Sequence, residues 1–241
     1  MSKIRVSYWS DYVCPFCYIG EQRIKNILKQ HNLTDKFEFE FRSFELDPNS
    51  QSKDNKKIDE LLSKKYNMPI EKARQNISYI NKLGKEEGIN MKFDSCINSN
   101  TLNAHRLTKY IEKKGNYENY EKIIFLLYDA YFTKNLKLSD LNVLINIGLQ
   151  VNCTKEEIEE LFNGNDFIKE VRKDEEDGYI EGVHGVPYFI IGGEFIINGA
   201  EPKENMESKL LKALNKGNKI NKENNGNFIC GNNGCFIKNH K

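Results

Sequence analysis

The chain has 241 residues, with 36 Lys and Arg against 35 Asp and Glu, a balance that leaves no bulk electrostatic footprint for nucleic acid or an anionic membrane. No apolar run approaches the ~18 residues of a membrane span, and Met1-Ser2-Lys3 leads into strand-like sequence without an apolar core or small-residue cleavage site. A cytoplasmic protein is therefore expected, with neither a nucleic-acid nor a membrane partner and with material for one large or two small domains.

The first element is the alternation Ile4-Val6-Tyr8, which predicts a strand. It leads to Val13-Cys14-Pro15-Phe16-Cys17-Tyr18, which opens a helical pattern carrying Ile24, Ile27 and Leu28 on one face. Two cysteines three apart at such a junction can close a reversible disulfide across the first helical turn. The first sits where unsatisfied N–H groups and the helix dipole favour negative charge. A thiolate is the attacking species in disulfide exchange, and this position lowers a cysteine pKa from about 8.5 towards roughly 3.5 to 7. Pro15 fits the first turn, which has no use for its missing N–H.

Phe37-Glu38-Phe39-Glu40-Phe41-Arg42 has strict period two, so the chain begins βαβ, with the two strands parallel. Residues 49–57 are polar and loop-like. Helical periods follow at Ile58-Leu61-Leu62, Ala73-Ile77-Ile80, Leu107-Ile111 and Ile123-Leu127-Ala130-Tyr131. Ser139 reads as the N-cap of a short helix ended by Gly148, and Thr154 with Glu157 has capping-box spacing. A last helix of this block is expected from Asp166 to Glu181, with Phe167, Ile168 and Val171 inward. Strand patterns return at 186–191 and 194–198 around Gly192-Gly193, a hairpin signal. Pro187 deletes a ladder hydrogen bond and is best placed at the start of its strand. Met206, Leu210 and Leu214 stripe a terminal helix stopped by Gly217, and residues 217–229 form a Lys/Asn-rich linker.

Six cysteines fall into three kinds. Cys96 and Cys153 stand alone and read as small buried hydrophobes. Cys230-Gly-Asn-Asn-Gly-Cys235 can turn back on itself to bring its cysteines within disulfide range, and is read as a second redox pair that exchanges with Cys14 and Cys17. A passive tail disulfide and a metal site are the alternatives. For Cys14 and Cys17 the alternative is a zinc site, completed by the tail cysteines in a non-enzymatic interaction module; Cys17, inside a helical pattern, offers awkward ligand geometry, and no metal is expected.

Taken together, the pieces Trp9-Ser10-Asp11-Tyr12-Val13-Cys14-Pro15-Phe16-Cys17-Tyr18-Ile19-Gly20, Phe41-Arg42-Ser43-Phe44-Glu45-Leu46, Asn100 to Leu107, Ala130-Tyr131-Phe132, Gly182 to Phe189 and Asn198-Gly199-Ala200-Glu201-Pro202 resemble the DsbA-like branch of the thioredoxin-fold superfamily, and within it FrnE-type proteins. The resemblance implies an α/β protein, a thioredoxin fold with a large all-helical insertion: residues 1–48 and 182–216 as the thioredoxin-like domain, 49–181 as the insertion, and 217–241 as a flexible tail. It implies a thiol–disulfide oxidoreductase or isomerase acting on protein disulfides, with Cys14 as nucleophile, Cys17 as resolving cysteine, and a cis Pro187 facing them. Val186, with Pro15 and Phe16, would meet substrate; an extended substrate needs free backbone groups beside the sulfur. The related 2-hydroxychromene-2-carboxylate isomerases and kappa-class glutathione transferases usually carry a lone serine in place of Cys14. They bind glutathione through the Val-Pro backbone and a later loop, here Gly199, Ala200 and Glu201. Glutathione is thus a candidate co-substrate, no other cofactor is expected, and a glutathione-dependent isomerase or transferase is the rival enzyme. Ser43 stands where the family usually has proline. His105 reads as a packed helix residue, His184 as a candidate tuner of the thiolate, Asp11 as a cap-region carboxylate and Arg42 as a strand-end cation.

Overall fold

The computed structural model describes residues 3–50, 56–226, 228–231 and 234–237, with side chains described as far as Gly217. Strand β1 (Ile4–Ser10) buries Val6 and Tyr8, as its alternation requires. Helix α1 (Pro15–Gln30) crosses back, and β2 (Phe37–Ser43) pairs parallel to β1 with Val6 opposite Phe39 and Tyr8 opposite Phe41. Parallel neighbours need such a crossover. On the other side of β1, β3 (Tyr188–Ile191) pairs antiparallel with Phe189 opposite Tyr8, and β4 (Phe195–Asn198) follows to give the order β2-β1-β3-β4. Gly192 and Gly193, at φ 59° and 73°, supply the left-handed pair that a tight hairpin turn demands.

Between β2 and β3 lie α2 (Ile58–Lys65), α3 (Ile70–Glu86), α4 (Leu102–Lys113), α5 (Tyr117–Phe132), α6 (Leu141–Leu149), α7 (Lys155–Asn163) and α8 (Ile168–Ile180). This is a thioredoxin-like α/β fold carrying a large helical insertion. Leu107, Ile111, Ile123 and Leu127 join Tyr8, Ile24 and Phe41 in one continuous hydrophobic core. Polar ties seal the junction. The Phe41 N–H donates to the Tyr120 hydroxyl oxygen at 2.8 Å, and the Tyr12 and Thr108 hydroxyls lie 2.6 Å apart.

Helix α8 is anchored on the sheet through Asp174. Its buried carboxylate accepts from the Ser43 N–H at 2.8 Å and Arg42 at 3.0 Å and pairs with Lys109 at 2.7 Å. Serine at position 43 thus supplies an N–H that a proline could not. Arg42 also pairs with Glu40, so it is a structural cation.

Three boundaries differ from the sequence reading. Asp140, not Ser139, caps α6 by accepting from the Asn142 N–H, while the Ser139 N–H is used by the Ser99 hydroxyl, and Gly148 lies inside the helix. The capping box of Thr154 and Glu157 forms as expected. Helix α8 starts at Ile168, because Phe167 is left-handed at φ 63°; Val171 is buried, whereas Phe167 and Ile168 are half-buried. The terminal helix α9 (Lys203–Gly226) runs straight through Gly217. That glycine does not take the left-handed conformation that ends helices, and a helical glycine costs only about 1 kcal/mol against alanine. Residues 217–226 are therefore helix rather than linker. Strands β5 (Phe228–Gly231) and β6 (Gly234–Ile237) follow as an antiparallel pair with Cys230 in register with Cys235. The side chains of that hairpin, and residues 51–55 of the expected loop, lie outside the described residues. No described helix is long and apolar enough to cross a membrane.

Gly178 of α8 lies flat on Trp9, where an added Cβ would meet Nε1 at 2.7 Å. Gly178→Val should destabilise the fold by about 2 kcal/mol through overpacking. A lowered urea midpoint at unchanged slope is the expected result, and an unchanged midpoint contradicts the packing.

Candidate active site

Cys14 is the N-cap of α1, with extended backbone at φ −90° and ψ 111°, and Pro15 occupies the first helical position. No side chain caps this helix, so the N–H groups of its first turn have no side-chain partner. The Cys14 N–H is bonded to the Asp11 carbonyl at 3.0 Å, and the Cys17 and Tyr18 N–H groups turn back on the Cys14 carbonyl at 3.1 and 3.5 Å. This winding sets the two sulfurs at different depths. Cys14 keeps 5 % exposure and Cys17 has none, so an incoming disulfide can meet only the first. Burial, and after it the neighbouring Cys14, push the Cys17 thiol well above its ordinary value; the Ser10 hydroxyl and the Asp11 main chain pull the other way.

The Cys14 thiol donates to the Val186 carbonyl at 3.6 Å. The Val186–Pro187 peptide is cis, and the Gly199 N–H bonds to the Pro187 carbonyl at 2.8 Å. This segment can lie against α1 because residue 20 is glycine: a Cβ there would come within 3.3 Å of both Pro187 and Phe189. The structure thus brings Cys14, Pro15, Phe16 and Val186 to one face, with Cys17 and Pro187 behind them.

That face opens on a groove of about 980 Å³. Cys14, Phe16 and Val186 line it together with Leu62 of α2, Tyr66 just after α2 and Tyr79 of α3. Phe16, Tyr66 and Tyr79 are exposed at 38 %, 59 % and 60 %, unusual for aromatics with no polar task. The sequence reading sets Pro15, Phe16 and Val186 against substrate and does not include Tyr66 and Tyr79; for Tyr79, a large ring off the buried α3 stripe of Ala73, Ile77 and Ile80 is the available signal.

Gly199, Ala200 and Glu201 do not line the groove. Arg23 donates to the Ala200 and Glu201 carbonyls at 3.3 and 2.7 Å, and Lys209 binds the Glu201 carboxylate at 2.8 Å. His184 is exposed and makes no hydrogen bond to Cys14. His105 is fully buried in α4, packed on Tyr12 at 5.0 Å between ring centroids, with Nε2 3.4 Å from the Asp11 carboxylate. Asp11 is not a side-chain cap of α1; its buried carboxylate accepts from the Leu46 N–H at 2.7 Å. Cys96 and Cys153 are buried, and burial pushes the Cys96 thiol up to about 12. Among the described residues no group of three or more His, Cys, Asp or Glu is placed to hold a metal ion; a site shared with Cys230 and Cys235 lies outside the described side chains.

A family model for the DSBA-like thioredoxin domain matches residues 5–211, from the first strand to the terminal helix. The chain belongs to this family. Its DsbA-like fold superposes on a probable DsbA oxidoreductase from Streptomyces coelicolor with TM-score 0.82 at 26 % identity, covering 98 % of this chain and 100 % of that one. It also superposes on a 2-hydroxychromene-2-carboxylate isomerase with TM-score 0.67 at 12 % identity, over 90 % and 98 % of the two chains, a likeness of fold alone. A search of curated protein sequences finds no match.

The depth difference sets an order of labelling. In the reduced DsbA-like protein near neutral pH, iodoacetamide should modify Cys14 well before Cys17, and Cys17 should gain reactivity only as pH rises, since its raised pKa keeps it protonated below. Peptide mass mapping reads the order; equal labelling of both at neutral pH contradicts the geometry.

Proposed function

We propose that this DsbA-family protein is a thiol–disulfide oxidoreductase or isomerase that exchanges disulfides of protein substrates through Cys14 and Cys17. The observation that carries the reading is the placement of Cys14 alone at the rim of an apolar groove, at a helix N-terminus, with Cys17 sealed one turn inward. In the reductive direction the Cys14 thiolate attacks one sulfur of a substrate disulfide. A Cys14–substrate bond forms while the substrate S–S bond breaks, and the first substrate sulfur leaves as a thiolate. Cys17 then loses its proton and attacks Cys14, closing the Cys14–Cys17 disulfide and releasing the second substrate sulfur. The oxidative direction is the reverse, and the reduction potential decides between them.

Once Cys14 is ionised, the Val186 carbonyl loses its donor and becomes free to accept an N–H of an extended substrate. The Phe16, Tyr66 and Tyr79 surface suits apolar segments of unfolded chains, which bury such surface favourably. The register of Cys230 with Cys235 supports a pair able to close on itself, and the same reading makes it a second redox pair that exchanges with Cys14 and Cys17. A cytoplasmic setting, where free thiols are maintained, belongs to the same proposal.

Insulin reduction and refolding of scrambled ribonuclease test the reading. Cys14→Ser should drop both to background, while Cys17→Ser should stall as a covalent Cys14–substrate disulfide detectable by mass. Cys14→Ser activity equal to wild type contradicts the mechanism. Activity that survives Cys17→Ser but requires saturable glutathione points instead to the isomerase or transferase class.

A further inference from the structure

Asp11 is tied to three parts of the molecule at once. Its carbonyl accepts the Cys14 N–H at 3.0 Å, closing the turn that follows β1 and delivers Cys14 to the start of α1. Its carboxylate accepts from the Leu46 N–H at 2.7 Å, and Leu46 lines the groove along with Cys14. The other carboxylate oxygen lies 3.4 Å from Nε2 of His105, on α4 of the insertion. The two side chains keep 1 % and 0 % exposure, so water screens neither.

Burial makes this contact a matter of charge. A carboxylate out of water with one neutral N–H as its donor is costly, and a cation at ion-pair distance offsets that cost. Among the described residues neither ring nitrogen of His105 makes a hydrogen bond, nor does the facing Asp11 oxygen, so the ion-pair contact is the polar interaction these atoms have. The imidazole is held in place by rings, 5.0 Å from Tyr12 and 5.7 Å from Phe41, which are stacked on each other. One proton shared between the two side chains leaves the pair without net charge.

The turn brings this pair close to the reactive sulfur's residue. Asp11 and Cys14 are the first and last of its four residues, a geometry that sets their Cα atoms within about 7 Å. At that range a buried charge acts strongly on the ionisation of a neighbour.

We propose that His105 balances the buried Asp11 carboxylate beneath the Cys14 turn, so that the Cys14 thiolate forms beside a neutral pair and not beside an anion. Both are positioning residues, acting through the turn and its field, and the helical insertion thereby takes part in activating the sulfur. The inference rests on the reading of Cys14 as the attacking thiolate. Other charged groups at this node are engaged. Glu45, just past β2, is bound by Arg172 of α8 at 2.6 Å; burial raises its pKa, and His105 and then Arg172 pull it back. Burial, then Cys96 and Asp11, keep the Tyr131 phenol of α5 protonated. On α4 itself, Arg106 binds the Leu161 and Gly164 carbonyls and Lys109 pairs with Asp174.

Alkylating Cys14 of the reduced full-length protein with iodoacetamide across a pH series, followed by peptide mass mapping, reads the charge. His105→Gln leaves an anion near the sulfur, so the half-maximal pH should rise by about half a unit, a threefold slowing below it. Asp11→Asn should move it the other way, and the double variant should return to the wild-type midpoint. Loosened packing, by contrast, moves both single variants in one direction. Equal midpoints in all four proteins, or shifts of one sign in both single variants, overturn the proposal. If the variants do not fold, the wild type decides. The His105 ring protons, identified by their proximity to the Tyr12 ring, should shift through the Cys14 midpoint in a nuclear magnetic resonance titration and lose that inflection in Cys14→Ser, because coupling between sites is reciprocal. A His105 signal indifferent to Cys14 overturns it. A Cys14–Cys17 pair that never closes would remove the exchange reading while leaving these midpoints measurable, so the two failures are distinguishable.

Discussion

The approach of the Cys14 sulfur to the Val186 carbonyl is the contact around which the structure is arranged. It joins residues 172 apart in sequence, and it holds only while α1 begins at Pro15 and the 186–187 segment stays pressed against that helix. The central strand β1 makes both conditions one problem, since it leads into α1 and pairs with β3. Glycine at position 20 removes the side chain that would part helix and segment. A sulfur at a helix mouth and an extended backbone beside it thus follow from one strand register.

The insertion is not a passive cap. It lines part of the groove through α2 and α3, and α8 is fastened to β2 by Asp174. Its helices α4 and α5 send Thr108, Tyr120 and Tyr128 to the sheet and the β1–α1 turn, each tied there by a buried hydroxyl contact. Such contacts add only about 1 kcal/mol each to stability, so their larger effect is to fix geometry. Leaving one unmade would strand a buried polar atom, and the arrangement of rings around Tyr12 and Tyr18 is specified accordingly.

Much of this was legible in the residues. The alternation at Val6 and Tyr8, the helix opened by Pro15, the period-two run at Phe37 and the turn at Gly192-Gly193 each obey a local rule that tertiary packing left in force. Local rules failed where two signals competed. Ser139 and Asp140 are both good caps, and it is the Asp140 carboxylate that accepts from the Asn142 N–H. Gly217 looks like a helix stop, but stopping requires a left-handed residue there, which sequence does not reveal. His184 sits near Pro187 in sequence and still faces solvent, because a loop turns it outward. The link between Ser10 and Tyr128 spans 118 positions, and no pattern in either segment announces it.

The central claim is that Cys14 and Cys17 interconvert reversibly between dithiol and disulfide. Equilibrating the intact protein across a series of reduced-to-oxidised glutathione ratios, followed by acid trapping and peptide mass mapping, measures this directly. The account predicts a Cys14–Cys17 disulfide that forms and is reduced along one two-electron curve, identical from either starting state. A protein in which that linkage never forms at any ratio would contradict it.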